Sequence, residues 1–132
     1  MTLRTERGKK ENMSREIVSH RVNGLNDRIE ITVLDERGEG GANHDYMIRF
    51  GEPREELEIM FQKGPLKVAG YNGISNEALL AVVIDRLEGF ANGPFACREN
   101  AMARTKCEEA MQWLLKRTRD RMERGVEGQN IL

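Results

Sequence analysis

Residues 116 to 121 read KRTRDR, which places Lys116, Arg117, Thr118, Arg119, Asp120 and Arg121 within fewer than two helical turns. Planar guanidinium forks beside a hydroxyl are groups that can hold an oxyanion such as phosphate. The same cations suit a solvated helix end, where they complement the negative pole of the backbone dipole. Residue types alone leave both readings open. Catalytic and metal patterns are absent: there is no Ser/His/Asp set and no glycine-rich phosphate loop between strand and helix. His20 and His44 have no companions at ligand spacing. Composition and periodicity alone reach a small α+β protein with an anion-tolerant helix end, with no catalytic, metal or cofactor site to propose.

The element that must carry the cluster is a helix over CRENAMARTKCEEAMQWLLKRTRDRMERG. At 100° per residue, measured from Cys107, Ala103, Met111 and Leu114 lie within ~40° of one line and form the stripe that faces a neighbour. Asn100, Thr118 and Arg121 fall on that same line, and Arg117 flanks it at ~80°. The stripe therefore turns polar at both ends, where unpaired amides or guanidiniums would be costly to bury. Phe90, at the end of the preceding helix, can join Asn100 at one end. The two ends lie about 27 Å apart by helical rise, so one small ligand can touch both only if a second chain is laid antiparallel. Trp113 and Met102 fall on another face. Phe90 as a hydrophobic plug, Asn100 as a solvated amide and Lys67 as a solvated loop residue are the alternatives to ligand contact.

The first half of the chain alternates. Ile29, Ile31 and Val33 share one face, as do Tyr46, Ile48 and Phe50, and again Leu57, Ile59 and Phe61. This period of two predicts half-buried antiparallel strands, with a fourth, weaker one within 17–22. Residues 54–60 also have good helix propensity. After Gly64-Pro65 and Asn72-Gly73 the period becomes 3.6. Ser75 or Asn76 caps the first helix, whose Leu79, Leu80, Val82, Val83, Ile84 and Leu87 cover most of its circumference and demand burial on more than one side. Asn92-Gly93-Pro94 ends it, with Gly93 at the C-terminal cap and Pro94 opening the next helix. The fold class is α+β: a small N-terminal antiparallel sheet followed by a C-terminal two-helix hairpin, in an oligomer. The organisation is a polar leader over 1–15, then one domain over 16–132, with strands in 16–63 and helices over 75–91 and 94–124.

At 132 residues with a net charge of −1, the chain suits one domain and lacks the basic excess that DNA binding needs. Aromatic residues are scarce, so the core is thin and association would add burial. Cys97 and Cys107 are about 15 Å apart along one helix, too far to bridge, which argues for reduced thiols. No apolar run suggests a signal peptide or a membrane span.

From Phe61 to Gly128 the sequence resembles the Thoeris anti-defence sponge proteins of phages and prophages. The resemblance rests on FQKGPLKVAGYNGISNEALL, RLEGFANGPFACRENAMARTK and WLLKRTRDRMERGVEG. These proteins share their helical hairpin with an anti-CBASS sponge family. The resemblance implies capture, without cleavage, of glycocyclic ADP-ribose or a related cyclic ADP-ribose isomer in the host bacterial cytoplasm. It implies a homodimer, with trimers of dimers in some members whose further pockets can hold cyclic di- or trinucleotides. By position, Phe90 would stack on adenine and Asn100 would hydrogen-bond the ligand. Arg117 and Arg121 would hold the phosphates, Thr118 would add a hydroxyl, and Lys67 would sit in a lid. Two other functions remain to be weighed against it: hydrolysis of the signal through Asp120 or Glu123, and an oligomeric adaptor with no nucleotide ligand.

Overall fold

The computed structural model describes residues 15–125. All but Arg15 of the expected leader lies outside them, as does the resembling stretch beyond Gly125. The chain divides into two compact units, Met1–Lys63 and Gly64–Leu132.

The first unit is an antiparallel meander of β1 (Glu16–Ile17), β2 (Glu30–Val33), β3 (Asp45–Phe50) and β4 (Glu55–Met60), in that spatial order. Its register follows the expected alternation. Ile31 pairs with Ile48 and Ile48 with Leu57, while Val33 pairs with Tyr46 and Tyr46 with Ile59. Successive side chains alternate between faces, so one apolar face results, and Tyr46 meets Phe61 edge-on at 5.7 Å. The helical alternative for 54–60 is overturned: cross-strand partners, including Arg49 with Glu56 at 2.8 Å, outweigh local propensity. The other face is less polar than the alternation implies. Thr32 and Met47, direct partners in register, are buried there.

Loops hold the strands in phase. The Asp35 carboxylate accepts from the backbone of His44 and Asp45, and Asn43 Nδ2 donates to the Asp35 carbonyl at 2.8 Å. Asn43 Oδ1 in turn accepts from Arg15. Gly51, at φ +81°, allows the short loop between β3 and β4. The fourth strand is shorter than expected, because after Ile17 the chain turns and Asn23 caps a five-residue helix, α1 (Gly24–Arg28). His20 Nε2 lies 2.6 Å from the Ile29 carbonyl, an acceptor only, so this nitrogen carries the proton.

The second unit opens with α2 (Leu66–Ala69), one turn framed by Gly64 and Gly70 at positive φ. Lys67 is therefore on a short helix rather than in the expected loop. The hairpin follows: α3 (Asn76–Ala91) and α4 (Arg98–Glu123). Ser75 Oγ accepts from Ala78 N at 3.1 Å, and Glu77 stands in the first turn, where it complements the dipole. The turn between the helices departs from expectation. Asn92 itself is the C-cap, with φ −96°, and Gly93 has no positive φ. Pro94 lies in the connection, because α4 begins only after Cys97, whose Sγ accepts from Asn100 N at 3.5 Å.

In α3, Leu80, Ile84 and Leu87 are half-buried, on the same side of the helix as one another. In α4, Asn100, Arg104, Cys107, Met111, Leu114 and Thr118 are half-buried, and the stripe ends in buried Arg121. Ala103, expected on this line, is exposed, and Arg104 takes its place. A second apolar side of α3, with Leu79, Val82 and Val83, stays exposed. No helix among the described residues is long and apolar enough to cross a membrane.

Met47 is 2% exposed, so Met47→Ala should destabilise the chain by about 2–5 kcal/mol in urea unfolding followed by circular dichroism. Ser75→Ala should cost ~1 kcal/mol through loss of the cap.

Candidate functional site

The long helix α4 carries polar groups at both ends. At its start, Asn100 lies half-buried in the first turn, held there by the Cys97 cap. Phe90 is half-buried in the last turn of α3, and the Arg86 guanidinium sits 5.1 Å from its ring centroid. This cation–π contact follows from i,i+4 spacing on one helix and steadies the ring. Nearly two helical turns into α4, Arg104 approaches Glu88 of α3 at 3.6 Å and Glu108 of its own helix at 3.7 Å. These charges clip the hairpin together just inside its turn.

At the other end, α4 has ten more residues than α3, so the hairpin leaves its last turns overhanging. Thr118 is half-buried, Arg121 is 8% exposed and Arg117 is exposed. A guanidinium this far from water needs polar company, and Arg121 has an electrostatic or hydrogen-bonding partner. Beside it runs an open groove of about 330 Å³ lined by Trp113, Lys116, Arg117, Asp120, Arg121 and Arg124. Lys116 Nζ donates to Asp120 at 2.6 Å. The hydrogen bond and the attraction of that carboxylate hold the Lys116 ammonium above its ordinary pKa. Asp120 is thus engaged by the lysine, one turn back on the helix, and the groove keeps a surplus of positive charge.

Arg117, Thr118 and Arg121 are brought together within little more than one turn, and Phe90 and Asn100 share the turn end of the hairpin. About 27 Å of helical rise separates Asn100 from Thr118 within one protomer. Lys67 is exposed on α2 and does not line the groove. The groove also contains residues that the stripe did not single out. On the helical wheel Trp113, Arg117 and Arg124 fall within ~40° of one another. That shared face is the signal the sequence spacing carries for them. Among the described residues no group of three His, Cys, Asp or Glu side chains is arranged to hold a metal ion.

A strand meander followed by a helical hairpin, with a cationic groove at the end of the longer helix, defines the chain as a small α+β protein. The family model described as "Acb2/Tad1, hairpin domain" matches residues 53–119, and the chain belongs to that family. The match runs from the last loop of the sheet to the overhang of α4 and ends two residues before Arg121. Over 70 residues the chain is 59% identical to "Thoeris anti-defense 1" of Bacillus phage SBSphiJ7, covering 53% of this chain and 49% of that protein. The chain therefore spans about half the length of the curated relative it matches.

Because the Lys116 pKa is raised in the folded chain, its pairing with Asp120 contributes fully below the ordinary lysine value. That contribution is lost as the pH rises through the raised one. The pair is exposed and screened, so its effect on stability is small, but its titration is directly visible. Asp120→Asn should lower the Lys116 Nζ transition toward the ordinary value in an NMR titration; an unmoved transition would assign the shift to other groups.

Proposed function

We propose that this protein is an anti-defence sponge that captures an immune signalling nucleotide of the cyclic ADP-ribose type in the host bacterial cytoplasm and leaves it intact. Glycocyclic ADP-ribose is the ligand that the family resemblance favours. The observation that carries the reading is buried Arg121 at the polar end of the α4 stripe, beside an open cationic groove. Packing alone is better served by Leu or Met at such a position, whereas a pyrophosphate is well matched by guanidinium forks.

In this reading the protein is a homodimer whose hairpins run antiparallel. Phe90 and Asn100 of one protomer then face the partner's Arg117, Thr118 and Arg121. Adenine stacks on Phe90, Asn100 hydrogen-bonds the nucleotide, and the arginines hold the phosphates with help from the Thr118 hydroxyl. The exposed apolar side of α3, with Val82 65% exposed, supplies surface for such an association. Trimers of dimers would add pockets for cyclic di- or trinucleotides, and Lys67 would close over the site with the turn before it. Tight capture works by stoichiometry and asks for no acid, base or metal.

Calorimetry with glycocyclic ADP-ribose should give a saturable exotherm, and heat denaturation of the complex should release ligand of unchanged mass. Altered mass would mean hydrolysis, and no binding to any nucleotide in a panel would favour an adaptor. Phe90→Ala should weaken binding by about 5- to 100-fold, the value of one base stacked on an aromatic ring. Arg121→Ala should weaken it by about 10-fold or more. Light scattering should give the same dimeric or larger mass for both variants; a monomeric mass for the native chain would overturn the proposed site.

A further inference from the structure

Trp113 is the chain's one tryptophan and is 72% exposed. It is not part of the half-buried stripe by which α4 packs in the hairpin. Instead it forms one end of the cationic groove. Trp113, Arg117, Asp120 and Arg124 follow one another at intervals of four, three and four residues, the spacing of side chains stacked along one helix face. Arg121 borders the same groove. Lys116 and Asp120 pair with each other one turn apart on the helix, and Arg117 is the exposed guanidinium that follows the indole along the groove. A wide aromatic surface thus stands one helical turn, about 6 Å of rise, before the first phosphate-type fork.

We infer that Trp113 is a specificity-determining residue of this site, its indole forming a platform for the pentose ring bonded directly to the phosphates that Arg117 and Arg121 hold. The inference rests on the proposed nucleotide capture and adds to it a second aromatic surface, distinct from Phe90. An indole and a sugar exchange no charge, so the contact contributes by excluding water and by matching flat apolar surfaces. It discriminates between anions. A nucleotide gains from the platform, while a bare pyrophosphate, with no ring to lay on it, is held by the guanidiniums alone. Trp113 and Arg117 line one groove a single turn apart on one helix face, so a ligand held at Arg117 through a phosphate keeps the attached sugar near the indole. The adenine, further along the ligand, is left to Phe90.

The single tryptophan makes the test direct. Fluorescence of the full-length native protein should change on titration with cyclic ADP-ribose and stay unchanged with inorganic pyrophosphate. Trp113→Ala should weaken cyclic ADP-ribose binding about tenfold in calorimetry, leave pyrophosphate affinity unaltered, and be largely rescued by Trp113→Phe. Native protein that binds cyclic ADP-ribose with no change in emission, or a Trp113→Ala variant of native affinity, would overturn the platform while the capture reading stands. Equal losses for nucleotide and pyrophosphate would also overturn it, because Trp113 would then support the arginines instead. An emission maximum already shifted to the blue and indifferent to ligand would mean that a second copy of the chain covers the indole, again overturning the platform. Absence of any nucleotide binding by the native chain would overturn the capture reading, and with it this one. The native titration does not depend on whether a variant folds.

Discussion

A guanidinium withdrawn from water at the end of a helix-packing stripe sets the terms for the rest of this molecule. Arg121 stands in line with Cys107, Met111 and Leu114 but in the part of α4 that outlasts α3. The cost of desolvating that charge must be met by polar company. Arg121 has a partner of its own, yet its neighbours along the groove are mostly cations. Asp120 is drawn off by Lys116, and Arg117 and Arg124 join Arg121 along the groove. The extra length of α4 over α3 places this arrangement on an overhang, with no opposing turn of α3 to fill the space.

The buried apolar core is small. Val33, Leu34 and Met47 are the buried hydrophobic residues among those described, and all three belong to the sheet unit. The hairpin, by contrast, has half-buried apolar residues on its packing side and well-exposed ones on the other face of α3. Caps and charge pairs hold what apolar burial holds weakly: Ser75 and Cys97 at the helix starts, and Arg104 between Glu88 and Glu108 near the turn. Each such contact is modest alone. Apolar surface left uncovered on one helix and polar groups at both ends of another are features that association between chains would use together.

Much of this organisation was legible beforehand because it rests on periodicity. Alternation in Ile29–Val33, Tyr46–Phe50 and Leu57–Phe61 decided the sheet face, since a shift of one residue would turn every one of these side chains over. The 3.6-residue period likewise put Asn100, Thr118 and Arg121 on one line of α4. Where the outcome hung on local competition, the reading was less complete. Glu55–Met60 has helix-favouring residues, yet pairing with β3 made it a strand. Pro94 suits a helix start, but the helix waits for Cys97, a weak sulfur acceptor that few would choose as a cap. Met47 shares its strand face with Asp45 and Arg49 and is nonetheless buried beside Thr32.

By itself the sequence determined the two long helices, the apolar face of the strands, and which residues interrupt the apolar stripe of the long helix. These follow from short-range spacing, which the backbone imposes wherever the chain lies. Only the tertiary structure decided that Arg121 is buried while Arg117 is exposed, that Lys116 engages Asp120, and that Trp113 shares a groove with the arginines. Those outcomes depend on where α3 ends against α4 and on which side chains reach one another across a turn. Solvent exclusion and charge pairing are properties of the assembled surface, so they do not appear in the order of residues alone.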